Sequence, residues 1–522
     1  MSTDRSPSLS DAFTGAGRVL ADHPVAVVSA YLLVVAVVPI ARVPFLVALT
    51  AAVGVLAAAG RIEPVVQALA EQASISEDGG LGGGGIGEGG IGGGFGGGDP
   101  PISPELERAV EGLFVPEVGL LLVAGVLLTV VVAVLVGAVA TAVSTGTVWA
   151  ALDGRPPLED GVATAGRWPT FLGVTLVRAV AVLVPVAVPV ALTLGIATLA
   201  GGIGVSVGVA VGALLVLAGA LVSLLVYLLL VFAEAAVVVD GAGTVEAVRG
   251  SLGFVRRNVL ATVVFALVAL GVYVGASVAV GLLNLVGVNR LGALVLSLTV
   301  APLLDAFAVA LYAETGLPAA DRAPLGTRVR GALADGWSAL WRFVREHPAA
   351  NAAGALLLTG GAVAGYLFTA PMGVTLPPPE NVATVFGVVP VGPFLNIAAN
   401  NWLVSAGTAF GGLAAGVPAA ASLLFNGVLI GALGGIFDRV AFLALVAPHG
   451  VIELPAIAVA GGLGVHLGVV GWRGARGRSD AGTVAAELRR ATWVLVGLAL
   501  VLVVASFVEA FLTPRIAAFV LG

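Results

Sequence analysis

From Val118 to Trp149 the chain runs without one charged side chain. A single crossing of a bilayer needs only about 20 apolar residues. Runs of similar length follow at Thr170–Ala200, Val205–Val238, Val259–Val286 and Leu291–Tyr312, with Arg178, Glu234 and Asp305 as their only charges. Lipid, not water, is therefore the solvent for most of these side chains. Composition agrees: 59% of the 522 residues are hydrophobic and 10% are charged, against about 25% charged in an ordinary soluble protein. Inside hydrocarbon every backbone group must find its partner in its own segment or in a closed barrel. Runs of this length specify an all-α, polytopic transmembrane helical bundle.

The charges that do occur narrow the function further. Every one of the 24 basic residues is arginine, and the net charge is −6. An acidic, lysine-free, Ala/Gly/Val-rich chain is expected from a salt-adapted prokaryote. There is no cysteine, so disulfides, thiolate metal sites and cysteine nucleophiles are excluded. No basic patch suits nucleic acid. The lipid bilayer is the first partner.

In chain order, Ser8–Ala21 carries Leu9, Phe13 and Leu20 near helical spacing, as for a helix on the membrane surface. Asp22-His23-Pro24 follows, and proline in a first helical turn lets a crossing begin there. Pro39, Arg42 and Pro44 interrupt the next apolar run. One crossing from Val25 to about Ile40 is expected, with a re-entrant or interfacial piece over 43–60. Residues 61–117 form a glycine-rich external loop: fifteen of the twenty residues from Gly79 to Gly98 are glycine. That is coil-forming composition, and its GxG patterns lack the strand and the Lys-Ser/Thr helix start of a phosphate cradle. The segment Asp321–Glu346 mixes Val329, Leu333, Trp337, Leu340, Trp341 and Val344 with arginines, and reads as an interfacial helix. Glu346-His347-Pro348 then repeats the earlier acidic-His-Pro step. Two modules result, a six-span unit over 1–320 and a five-span unit over 321–522, about eleven crossings in all. Residues 437–455 are expected to dip partway into the membrane.

Eighteen of the 24 arginines fall on one side of this topology. Positive residues stay cytoplasmic. The expectation is a multipass protein of the cell membrane with its N-terminus cytoplasmic and its C-terminus external.

Against this apolar background a few polar groups stand out. Asn400-Asn401-Trp402 is followed by Phe425-Asn426-Gly427, by Pro448-His449-Gly450-Val451-Ile452-Glu453-Leu454-Pro455-Ala456, and by Glu509-Ala510-Phe511-Leu512-Thr513-Pro514. From about Arg330 onward these motifs resemble the stage II sporulation protein M family. The resemblance implies an integral membrane protein of about five spans that, in endospore formers, partners cell-wall hydrolases during engulfment. A second resemblance covers about Val118–Leu317. It rests on Glu234, Val239-Asp240-Gly241, Glu246-Ala247-Val248-Arg249-Gly250-Ser251, Ala301-Pro302-Leu303 and Tyr312. These are similar to the six-helix membrane domain attached to some glycerophosphodiester phosphodiesterases. The soluble hydrolase barrel of those proteins is absent.

His449 and Glu453 lie four apart and share a helix face. A zinc site would want a third ligand. The nearest other histidine, His466, is thirteen residues past Glu453 and about 20 Å along a straight helix. The expectation is therefore no metal and no cofactor. Asn400, Asn401 and Asn426 join His449 and Glu453 in one intramembrane polar cluster, with Asn396 beside it and Asn426 bonding across to another helix. Arg178 and Asp305 lie at similar depth in their spans, and a lone charge there costs about 2.5–3.5 kcal/mol. They are expected to form a buried ion pair, with Arg178 snorkelling to the headgroups as the alternative; Glu234 needs no special role. Glycine pairs at 412/416, 427/431 and 464/468 mark close helix packing. No catalytic triad, carboxylate pair or nucleotide motif emerges. The function expected is a non-enzymatic scaffold of the cell envelope that recruits membrane or envelope proteins, a homo-oligomer being the other arrangement. The alternatives are a small-solute permease or channel lined by Asn426, Glu453 and His449, and then a metal-dependent membrane hydrolase.

Overall fold

The computed structural model describes residues 9–68, 103–199, 203–285, 287–318, 321–373, 375, 386 and 389–521, by backbone alone at 196–199 and 203–208. The glycine-rich run at 79–98 and most of the Pro-rich loop after Met372 lie outside the described residues.

The first half begins with α1 (Leu9–Asp22), whose buried face is Ala12, Gly15, Ala16 and Val19. His23 ends it, and Pro24 opens α2 (Pro24–Ala58). Then come α3 (Pro104–Glu111), α4 (Pro116–Leu152), α5 (Pro157–Thr164), α6 (Trp168–Leu199) and α7 (Ile203–Leu230). Two short helices, α8 (Ala233–Val239) and α9 (Thr244–Arg257), precede α10 (Val259–Leu285) and α11 (Asn289–Tyr312). The second half holds α12 (Leu325–Glu346), α13 (Pro348–Thr369), α14 (Val391–Gly411), α15 (Val417–Ile436), α16 (Arg439–Ala475) and α17 (Ala481–Leu521).

Ten of these helices are long and apolar enough to cross a membrane. The eleventh expected crossing is α14, a 21-residue helix whose Asn396, Asn400 and Asn401 lower its hydropathy. It packs inside the bundle against α2, α16 and α17. Two expectations are corrected. Residues 43–60 are not re-entrant: α2 is continuous for 35 residues with Pro39 and Pro44 inside it. Residues 437–455 do not dip and turn back: α16 runs 37 residues through Pro448 and Pro455. Proline removes one intrahelical hydrogen bond and wedges the helix, but neighbouring helices support the chain on both sides of the break.

The repeated acidic-His-Pro step is built the same way twice. His23 caps α2 at φ −122°, ψ 43°, and His347 caps α13 at φ −123°, ψ 53°. Each leads a surface helix into a crossing whose first residue is proline. At the end of the bundle where these two steps sit, Arg322 donates to both oxygens of Asp22, and Arg328 donates to Ala21 O. Arg18 donates to Leu317 O. At the opposite end, Arg61 donates to Gly112 O at 2.7 Å and the Arg290 amide to Asn396 Oδ1 at 2.9 Å.

One core crosses the junction of the halves. It runs from Val19, Tyr31 and Leu32 through Phe232, Phe265 and Phe307 to Phe343, Phe410, Leu463 and Leu498. Ser29 on α2 and Thr492 on α17, both buried, exchange a hydrogen bond at 2.6 Å. Within the second half, small residues bring backbones together. A Cβ added at Gly427 would lie 2.9 Å from Ala362 N and 3.0 Å from Gly361 Cα, so α13 and α15 touch through main chain. The Gly412/Gly416 pair is not a helix face, because α14 ends at Gly411. Gly412 instead abuts Gly464, and Gly416 takes φ +77° to start α15.

Candidate functional site

The longest-lived polar groups in a membrane protein are those that repay their removal from water. Two sets stand inside the bundle, one in each half.

In the first half, Arg178 lies ten residues into α6, about 15 Å along the helix from Trp168. Its Nη2 meets Glu234 Oε1 of α8 at 2.9 Å. Asp305 of α11 accepts from the Tyr31 hydroxyl at 2.6 Å. The expected Arg178–Asp305 pair is thus replaced by two neighbouring pairs. The reason is reach: the short helix α8 turns Glu234 inward, and α2 delivers Tyr31 to the carboxylate first. All of Arg178, Glu234 and Asp305 line one cavity of about 400 Å³, together with Tyr227 and Tyr273. Glu234, expected to need no special role, is instead the partner of Arg178, and Tyr31 was not singled out by sequence.

In the second half, His449 and Glu453 lie one turn apart on α16. Facing them, α17 is interrupted by a π-turn over Val508–Leu512, which contains Glu509. Such a turn inserts one extra residue per loop and re-aims the side chains around it. The result brings Glu509 to His449 and Glu453, with one potential ligand atom from each lying within 4.8 Å of the others. Thr513 Oγ1 meets His449 Nδ1 at 3.3 Å. Glu453 Oε2 is buried and has no hydrogen-bond partner. Among the described residues, neither carboxylate forms an ion pair with an arginine. His, Glu and Glu are a donor set able to hold a divalent cation. The third ligand that sequence spacing failed to supply comes from 56 residues downstream, on a different helix.

The asparagines do not complete this set. Asn426 Nδ2 donates to Ser422 O of its own helix at 2.7 Å, not across to a neighbour. Asn400 and Asn401 bond one another at 3.4 Å, and Asn396 serves the amide of Arg290. A short polar side chain in a helix readily returns to a carbonyl one turn back, which satisfies it locally. The contact across α14 and α15 is made instead by Thr408 and Ser422, at 2.8 Å.

A third group lies at the arginine-rich end. His466 Nε2 meets Glu487 Oε2 at 3.1 Å, and the His347 ring stands 4.3 Å from the His466 ring. Burial, then the charge of His466, push the His347 imidazole below its usual value of 6.5. At the first acidic-His-Pro step, the Arg322 hydrogen bonds hold the Asp22 carboxyl below its usual range.

Residues 109–319 match a domain of unknown function (DUF7847). The expected likeness of this half to the phosphodiesterase-associated membrane domain is not found. Comparisons with curated proteins and with solved structures give no match. Residues 354–514 match the family described as stage II sporulation protein M. The matched segment, under a third of this multipass chain, holds His449, Glu453 and Glu509 and is similar to that family.

Proposed function

We propose that the protein is a non-enzymatic scaffold of the cell envelope, in which a stage II sporulation protein M domain is fused to a second helical unit. The N-terminus and the arginine-rich end face the cytoplasm, and the C-terminus faces outward, by the distribution of positive residues. The observation that carries the reading is the shared core. Tyr31, Phe307, Phe410 and Leu498 belong to one packed cluster drawn from both halves. Close-packed interiors transmit force and resist relative sliding. A body of that kind holds partners in fixed register and is poorly suited to rocking one half against the other. The partners are other membrane or envelope proteins.

The runner-up is a small-solute permease. It is favoured by the cavity around Arg178, Glu234 and Asp305, since charged residues within a span mark solute and ion paths. One pair of measurements separates the two. The tagged full chain, at native level, is cross-linked in native membrane and its stoichiometric companions are identified. The purified chain is also reconstituted in vesicles, and efflux of small entrapped solutes is followed. A fixed-stoichiometry membrane or envelope companion without efflux supports the scaffold. Efflux above that of empty vesicles, abolished by Arg178→Ala, overturns it.

A further inference from the structure

We infer that His449, Glu453 and Glu509 bind one divalent metal ion of the zinc class. The first argument is charge. His449 and Glu453 lie ten and fourteen residues into α16, Glu509 of α17 brings a second carboxylate beside Glu453, and Glu453 Oε2 is buried without a partner. The nearest arginine in sequence, Arg515, is exposed and makes no ion pair among the described residues. Burying carboxylates without a counter-charge is costly. A divalent cation neutralises the pair.

The second argument is donor chemistry. One imidazole and two carboxylates suit zinc and its neighbours better than calcium or magnesium, which favour all-oxygen shells. The separation of at most 4.8 Å is an upper bound. Zinc needs ligand distances of about 2.0–2.2 Å, which side-chain rotation by roughly an ångström supplies. The third argument is what surrounds the ligands. Thr513 Oγ1 engages His449 Nδ1, which leaves Nε2 for the ion and holds the ring in one orientation. Metal-binding histidines are oriented this way by a partner at the other ring nitrogen. Three protein ligands leave a fourth position for water.

The ion then ties α16 to the π-turn of α17. It joins the last helix of the chain to the long proline-wedged helix and so fixes the outer end of the second half. This inference stands independently of the scaffold reading, because metal content is measured without any partner or transported solute.

The test uses the full chain in detergent. It is stripped with chelator, reloaded with zinc, passed through size exclusion, and its metal is counted by mass spectrometry. One zinc per chain is expected for the wild type and for His466→Ala. At least a tenfold lower content is expected for His449→Ala and for Glu509→Gln. Wild-type protein that retains no zinc overturns the site. So does zinc that survives both substitutions, or that is lost with His466→Ala instead. Should the substituted proteins fail to fold, cobalt loading of the wild type decides. An intense four-coordinate visible spectrum is expected, and a weak six-coordinate one overturns the assignment.

Discussion

Both halves of the bundle place charges where water is scarce, and they solve the resulting problem differently. In the first half, Arg178 Nη2 meets Glu234 and Asp305 meets Tyr31, so each charge has a partner within the protein, although Arg178 Nε is buried without a hydrogen bond. In the second half, Glu453 and Glu509 sit with His449, and among the described residues no arginine forms an ion pair with them. The sets also lie toward opposite ends. The first is about ten residues inside the arginine-rich end, and the second is a similar distance inside the other. An internally paired set holds a fold together as synthesised. A set of two carboxylates and an imidazole is complete only when something from outside the chain joins it. The first half therefore stabilises itself, while the second can be loaded.

The largest expected effect breaks the self-paired half. Arg178→Ala strands Glu234 in the membrane and is expected to destabilise by about 3 kcal/mol, the insertion cost of a lone charge. Loss of monodisperse protein and a lowered melting temperature in detergent are the readouts. Adding Glu234→Gln should recover most of the loss, because the stranded charge is then gone.

The next effect belongs to the other half and needs zinc. At free zinc a hundredfold above the dissociation constant, wild-type protein should gain about 2.7 kcal/mol, seen as a higher melting temperature. Glu509→Gln should gain nothing. A gain in both proteins would remove the contrast between the halves.

Tyr31→Phe comes third. It deletes one hydrogen bond to a charged acceptor and should cost about 2 kcal/mol by the same thermal measurement. In metal-free protein the corresponding deletion in the second half, Glu453→Gln, should be neutral or stabilising by about 1 kcal/mol, since it removes a charge that has no counter-charge. A loss there as large as that of Tyr31→Phe would mean both sets are internally satisfied.

The smallest effect is a pH dependence at the second acidic-His-Pro step. His347 is held below 6.5 by burial and by the facing His466, with Arg490 adding to this and Glu487 opposing. The unfolded chain then takes up a proton at higher pH than the folded one. The stability from this group is complete above pH 6.5 and falls as pH drops through the lower folded-state value. His347→Asn should flatten that slope.

Much of this comparison was legible in the residues. Uninterrupted apolar runs gave the crossings, since lipid admits only self-satisfied helices. His449 and Glu453 were visible because one helical turn separates them. Arg178 and Asp305 stood out as charges in apolar runs, and both do sit on the same cavity. Their partners were not legible. Glu234 lies on a seven-residue helix whose direction follows from packing against α4 and α6. Asn426 looked like a bridge between helices, yet a carbonyl four residues back lay closer.

Residue order by itself determined that the chain is built of membrane-crossing helices, that an acidic-His-Pro step opens two of them, and which side chains sit uncomfortably there. Those properties follow from local transfer free energy and helical period, which a one-dimensional string carries in full. Only the tertiary structure decided which charge meets which, and that Glu509 joins His449 and Glu453. Such pairings depend on helix rotation, and a π-turn of one extra residue changes rotation without leaving a periodic mark.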